Sequence, residues 1–175
     1  NDQVLRMQSG NYSYRVGTGD ILAVTVDDIE LSGAAKAGDN ISQRVVQPDG
    51  TFFFPLAGNI VAAGRTVPEI REDLNRKMAN LLRSPQIDVR VIEFRNRYVR
   101  VTGNVKTPGV YPITDTELRM VDVLSRAGWI PEATTAGTVI LIRNEQQIEI
   151  PFDDLQKGAY DYRLNGGDIV YVPDN

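Results

Sequence analysis

Tyr14-Arg15-Val16-Gly17-Thr18-Gly19-Asp20-Ile21 stands near the start of this 175-residue chain, and Tyr162-Arg163-Leu164-Asn165-Gly166-Gly167-Asp168-Ile169 near its end. The two agree at six of eight positions when Val16 and Leu164 count as equivalent. Each runs into a β-branched stretch, Leu22-Ala23-Val24-Thr25-Val26 after the first and Val170-Tyr171-Val172 after the second. Gly19 and Gly167 permit the positive φ that a tight turn needs. Asp20 and Asp168 then sit where a carboxylate accepts from nearby backbone N–H groups. A turn-strand device used twice predicts two modules of related design.

Between the echoes the same plan runs through twice. Arg44 to Gln47 alternates into Pro48-Asp49-Gly50, where Pro presets φ, Asp caps and Gly takes the left-handed position. Alternation continues through Thr51-Phe52-Phe53-Phe54, which predicts a hairpin. Thr66-Val67-Pro68-Glu69 has capping-box form with Pro inside the first turn. Ile70, Leu74, Met78 and Leu81 follow at helical spacing, and Ser84-Pro85 predicts the helix end. Residues 86–102 alternate as one long strand or two.

In the second pass, a strand over 99–105 turns at Lys106-Thr107-Pro108-Gly109 and returns through Val110-Tyr111. Thr114-Asp115-Thr116-Glu117 is a second capping-box candidate, with Leu118, Val121, Leu124 and Ala127 as the helix's buried stripe and Gly128 as its stop. A hairpin is expected around Asn144-Glu145-Gln146 and a helical turn over 153–157. The fold class is therefore α+β. Two small modules, 12–95 and 96–173, are each expected to be a mixed β-sheet wrapping one main helix, with the junction at Arg95-Asn96-Arg97.

Composition narrows the chemistry. The chain is 42% hydrophobic and 24% charged, an ordinary globular balance. It has no His and no Cys, so imidazole or thiolate metal sites, Ser–His and Cys–His nucleophiles, and disulfides cannot be built from it. Residues 1–95 carry 11 basic and 12 acidic groups and residues 96–175 carry 8 and 11, for a net charge of −4. Neither half is basic, which argues against a nucleic-acid partner. No apolar run approaches the ~20 residues of a membrane-spanning helix, and NDQVLRMQSG has no signal-peptide apolar region. A signal peptide and any lipid anchor are expected outside these residues.

The ordered motifs YRVGTGDILAVTV, QPDGTFFFPLAG, AAGRTVPEIREDL, SPQIDVRVIEFRNRYVRVTGNVKTPGVYPI, VDVLSRAGW, VILIRN and LNGGDIVYVP together resemble the outer-membrane polysaccharide export (Wza-like) family. Residues 12–95 are similar to its polysaccharide-export domain. Residues 96–173 are similar to a soluble-ligand-binding β-grasp (SLBB) domain, marked by Gly103-Asn104-Val105-Lys106-Thr107-Pro108-Gly109. The resemblance implies a periplasmic, outer-membrane-associated export component for capsular or exopolysaccharide. Its members form a homo-oligomeric ring around a polar lumen, meet an inner-membrane co-polymerase, use no cofactor and catalyse nothing. The chain differs in showing one β-grasp repeat and in Gly128-Trp129 where a Gly-Gly pair is usual. No amphipathic helix follows Val172, so the expectation is either a pore-forming segment outside these residues or a separate outer-membrane pore component. A monomeric saccharide-binding or accessory module, and a carboxylate-dependent glycan hydrolase, stand as alternatives.

Among individual residues, Asp27-Asp28-Ile29-Glu30 is the best acidic cluster for acid/base work or an oxygen-ligand cation, but it reads as a solvated loop. Asp153-Asp154 reads as a first helical turn. Arg90, Arg95, Arg97 and Arg100 form the one basic cluster. They are expected either to meet acidic sugars or a subunit seam, or to be a strand face paired with Glu93. Trp129, with Tyr111, Tyr160 and Tyr162, suits a sugar platform or the end of the β-grasp core. Consecutive strand residues face opposite ways, so Phe53 is expected to emerge from the sheet and be buried against a neighbouring subunit.

Overall fold

The computed structural model describes residues 12–28, 41–82, 85–129, 137–156 and 162–173. They divide into two compact units, one over residues 13–96 and one from residue 97 onward that also takes in Tyr12. Ile29, Glu30, the Gly/Ala-rich 32–39 stretch, Ser84 and Tyr160 lie outside the described residues, as do the side chains of Asp28 and Gln156.

In the first unit β1 (Ile21–Asp28) is the centre of a three-stranded antiparallel sheet, with β2 (Ile41–Val45) on one side and β5 (Pro85–Glu93) on the other. Leu22 and Val24 of β1 and Ile87 and Val89 of β5 are buried by the period-2 alternation. α1 (Val67–Met78) starts at Thr66, whose Oγ1 accepts from the Glu69 N–H at 3.4 Å, and packs Ile70, Leu74 and Met78 into the same core. The helix ends at Met78, before the predicted Ser84-Pro85 stop. Leu81 consequently falls in the turn beyond it and is exposed rather than part of the stripe.

The Pro48-Asp49-Gly50 turn forms as expected: Asp49 accepts from both the backbone and the hydroxyl of Thr51 at 3.0 and 2.8 Å. The strands on either side do not make a ladder with each other, however. β2 pairs with β1, while β3 (Thr51–Phe54) pairs antiparallel with β4 (Gly58–Val61), a strand the sequence reading missed. The Pro55–Ala57 turn that joins β3 to β4 supplies the shorter loop closure.

The second unit is a five-stranded sheet in the order β7 (Gly109–Pro112), β6 (Tyr98–Gly103), β10 (Ile169–Val172), β8 (Thr138–Arg143), β9 (Gln146–Pro151). β6 and β10 run parallel and the remaining pairs antiparallel, with α2 (Met120–Arg126) and α3 (Phe152–Gln156) completing a β-grasp-like α+β unit. Val99, Val101, Val139, Leu141, Val170 and Val172 form the inner face, and Met120, Val123, Leu124 and Ala127 add to the same core. The predicted helix start at Thr114-Asp115-Thr116-Glu117 is displaced: the Thr114 hydroxyl closes a local turn with Thr116 N–H, and Arg119 is the N-cap, its N–H donating to Asp122. With the start moved, Val121 turns outward and Val123 takes its place inside. Gly103 is required by crowding, because a Cβ there would meet the Val172 carbonyl oxygen at 2.1 Å.

The echo is one device in both units. Gly19 and Gly167 have φ of 88° and 89°, and Tyr14, Asp20, Tyr162 and Asp168 are all buried. Arg15 bridges to Thr66, the residue capping α1, and Arg163 bridges to Arg119, the residue capping α2. The hydrogen bonds are equivalent too: Val16 N–H donates to the Arg65 carbonyl at 2.8 Å and Leu164 N–H to the Leu118 carbonyl at 2.9 Å. Each echo therefore fixes the entry of its unit's main helix before starting a central strand.

Candidate functional site

Alternation in β3 sends Phe52 and Phe54 inward and leaves Phe53 55% exposed. Register opposes Phe53 to Asn59 and Thr51 to Val61, so Phe53 and Val61 are diagonal neighbours on the outer face of the β3–β4 ribbon. Val45, Val61 and Leu56 are exposed as well. A groove of about 370 Å³ runs beside Phe53, lined also by Gln43, Arg44, Val45, Gln47 and Phe52. In the β3–β4 turn Leu56 is held at φ 71° while 65% exposed, an arrangement that strains its Cβ for little burial in return. Leu56→Gly is expected to raise the unit's stability by about 0.5–1 kcal/mol, the relief of strain exceeding the added unfolded-state entropy. Chemical denaturation checks this, and a loss of stability would show that Leu56 packs more than its exposure indicates.

The four arginines of the junction divide between the units. Arg90, on β5, is exposed, and Arg95 forms an ion pair with Glu93. Arg100 projects from β6, opposite Val110 on β7 and Ile169 on β10. Arg97 is half-buried, and its side chain packs where a Cβ on Gly166 would lie. Trp129 stacks on Phe152 with ring centroids 5.0 Å apart and an angle of 23°, closing the end of the second core. Tyr162 is buried, and the Tyr111 hydroxyl donates to the Thr107 carbonyl at 2.6 Å. The alternation of β6 and β10 also brings out Tyr98 and Tyr171, which had not been singled out. The signal was present in Tyr98-Val99-Arg100-Val101-Thr102 and Ile169-Val170-Tyr171-Val172, where every second residue is a buried Val.

The acidic candidates do not converge. Asp27 is exposed near the end of β1, and Asp153 and Asp154 occupy the first turn of α3. Among the described residues no group of three or more acids is placed to hold a metal ion, and no helix is long and apolar enough to cross a membrane. Two other carboxylates are each held by more than one cation. Asp73 of α1 faces Arg65, Arg76 and Lys77, with Arg76 Nη2 at 2.5 Å. Glu117 is gripped by Arg163 and, at 3.0 Å, by Arg119. Around it Arg163 lies 5.3 Å from the Tyr12 ring, whose hydroxyl donates to the Thr114 carbonyl.

Burial pushes both carboxyl groups up, but the hydrogen bonds and charges of these arginines and lysine outweigh it and hold both below the usual carboxylate range. A pKa lower in the folded state means stabilisation that is complete above the unfolded value, about 4, and fades as pH falls through the folded values. The melting temperature is therefore expected to drop on acidification below about pH 4, and Asp73→Asn with Glu117→Gln should flatten that drop while lowering the melting temperature at pH 7. A double variant with an unchanged acid slope would refute the assignment.

A family model described as "Polysaccharide biosynthesis/export protein" matches residues 8–92, and an SLBB domain model matches residues 97–172. The chain is 36% identical to the EPS I polysaccharide export outer membrane protein EpsA of Ralstonia nicotianae, over 91% of this chain and 47% of that protein. It is 32% identical to the exopolysaccharide production protein ExoF of Rhizobium meliloti, over 69% of this chain and 29% of that one. It is 24% identical to the Vi polysaccharide export protein VexA/TviF of Salmonella typhi, over 90% and 44%. The chain thus spans about half the length, or less, of these relatives. Two family models in the expected order, the motifs quoted above and the similarity to EpsA put one conclusion beyond the fold itself: this chain belongs to the outer-membrane polysaccharide export family.

Proposed function

We propose that the chain is part of an outer-membrane-associated, periplasmic component that exports a capsular or exopolysaccharide. Identical copies pack side by side around a hydrated passage, and their periplasmic face docks an inner-membrane co-polymerase. The similarity to EpsA and VexA/TviF carries the export reading. The exposed Phe53 and Val61 of the β3–β4 ribbon and its turn residue Leu56, with Val45 of β2 across the groove from Phe53, support side-by-side packing, because clustered exposed aromatic and aliphatic groups favour burial against a neighbour. The work is geometric: a passage lined by weak, repeated polar contacts lets a polymer advance, whereas one tight site would stall it. Such a component catalyses nothing and needs no cofactor.

Deleting the gene for the full-length protein is expected to abolish surface polysaccharide while precursor accumulates, and unchanged surface polymer would overturn the reading. Sedimentation of the full-length protein tests the packing. Phe53→Asp is expected to weaken self-association about thirtyfold or more, the effect of removing a central aromatic anchor. Association unaffected by that change would place the seam elsewhere.

A further inference from the structure

The outer face of the five-stranded sheet has a composition that neither core packing nor solvation explains. Register aligns Val110, Arg100, Ile169, Ile142 and Gln147 in one row across all five strands. A second row runs Thr102, Tyr171, Ile140 and Glu149, and Tyr98 stands one pleat further along β6. Tyr98 and Tyr171 are 39% and 38% exposed and Val110 56%. Antiparallel sheets that face water on one side ordinarily alternate to polar residues there. Here aliphatic and aromatic side chains occupy the β7, β10 and β8 positions of the two rows, and β6 supplies Thr102 and the one guanidinium, Arg100. The polar Gln147 and the carboxylate of Glu149 are confined to the β9 edge. The hydroxyls of Tyr98 and Tyr171 and the guanidinium of Arg100 make no hydrogen bond, ion pair or ring contact among the described residues.

We infer that this face, centred on Tyr98, Arg100 and Tyr171, is a contact surface for a carboxylate-bearing saccharide chain. The inference rests on the export reading and names the class of polymer and the place where it is touched. A pyranose ring presents C–H faces that stack on an aromatic plane and hydroxyl edges that hydrogen-bond to a phenol, so tyrosine matches both parts. A guanidinium offers a fork of donors that a uronate carboxylate accepts in bidentate fashion. Four residues of strand rise and one strand spacing separate Tyr98 from Tyr171, about 14 Å. That span exceeds one sugar ring, so the ligand touching both is an oligomer lying along β6 and β10. A protein partner suits the face less well, because it would have to desolvate Arg100 between Val110 and Ile169 and supply a matching carboxylate. A sugar chain leaves the guanidinium partly hydrated, and the resulting contacts are weak and repeated.

The test is titration of the isotope-labelled chain, followed by NMR, with tetragalacturonate and with neutral maltotetraose. Amide shifts are expected to concentrate in residues 98–102, 109–112 and 169–172, with a Kd near about 1 mM. Arg100→Gln is expected to weaken tetragalacturonate about tenfold and leave maltotetraose unchanged, because it removes a charge-assisted pair alone. Tyr171→Ala is expected to weaken both about threefold to tenfold. All three side chains are exposed, so melting temperatures should stay close to that of the parent. Absent shifts, shifts confined to other residues, or equal effects of Arg100→Gln on the two sugars would overturn the inference. So would shifts on the same residues upon dilution without sugar, which would make the face a contact between copies. Gene deletion tests the export reading separately, so a failed titration alongside lost surface polymer sinks only this assignment.

Discussion

Replacing Asp20 with Ala is expected to destabilise the first unit by about 4 kcal/mol, which for a unit of this size lowers its melting temperature by about 20 °C. Asp20 is fully buried, and its carboxylate accepts from four donors. Oδ2 takes the Tyr14 hydroxyl and the Gly17 N–H at 3.0 Å, and Oδ1 takes the N–H groups of Arg95 and Asn96 at 2.7 and 3.0 Å. Alanine leaves all four without an acceptor, each orphaned donor costing about 1–3 kcal/mol before relaxation and water entry reduce the sum. Asn at position 20 should not rescue, since its amide presents donors to donors. Tyr14→Phe provides the contrast. It removes one donor cleanly and keeps the ring edge-on to Phe94 at 5.0 Å, so its cost should be about 1 kcal/mol. Equilibrium denaturation measures both, and a cost below about 1 kcal/mol for Asp20→Ala would refute the hub role.

Asp20 also shows where sequence reading stops. The repeated Tyr-Arg-…-Gly-Asp-Ile motif correctly foretells a turn entering a strand, because Gly at positive φ and an Asp accepting N–H groups are local chemistry. Both Asp side chains accept the N–H three residues earlier, from Gly17 and from Asn165 at 2.7 Å. What the remaining lone pairs meet is decided by distant segments: residues 95–96 in one unit and Arg143 in the other. No local spacing encodes that choice. The same limit explains the second helix start. Thr114-Asp115-Thr116-Glu117 has the residue types of a capping box, but two arginines, one 46 residues away, claim Glu117. The hairpin at 48–50 fails in a related way, since its turn is local while the partner of β3 is settled by whichever strand closes the shorter loop.

For the candidate surfaces, period-2 alternation was enough to bring Phe53 out of β3, because a strand between two buried Phe residues leaves the third no choice. Arg90, Arg95, Arg97 and Arg100 look like one cluster in sequence, yet the chain passes from one compact unit to the other between Arg95 and Arg97. Proximity in sequence across such a passage carries no information about a shared face. Tyr98 and Tyr171 show the reverse. They are 73 positions apart, and only the parallel pairing of β6 with β10 places them on one side of a sheet.

The largest effect in the second unit is expected from Arg143→Met. Arg143 and Asp168 are 7% and 2% exposed, and the guanidinium donates to both carboxylate oxygens at 3.0 and 2.7 Å and to the Arg163 carbonyl at 3.1 Å. Methionine fills much of the stem's volume but leaves a buried carboxylate with no cation, a loss of about 3–5 kcal/mol. Asp168→Asn alone should cost less, because an amide at 168 still has a carbonyl oxygen for the Asn165 N–H. The double variant separates pairing from burial: with the pair removed together, its cost should fall short of the sum of the singles by about 2 kcal/mol. Additive costs would mean that the ion pair adds no coupling and that Asp168, like Asp20, is held without help from a side-chain cation. The contrast matters because the two turns share a helix-entry hydrogen bond, from the Val16 or Leu164 N–H to the carbonyl of the residue before the helix cap. A non-additive result means that one shared local motif is secured by neutral donors in one unit and by a desolvated ion pair in the other. Of the two, only the ion pair leaves an uncompensated charge when a single partner is lost.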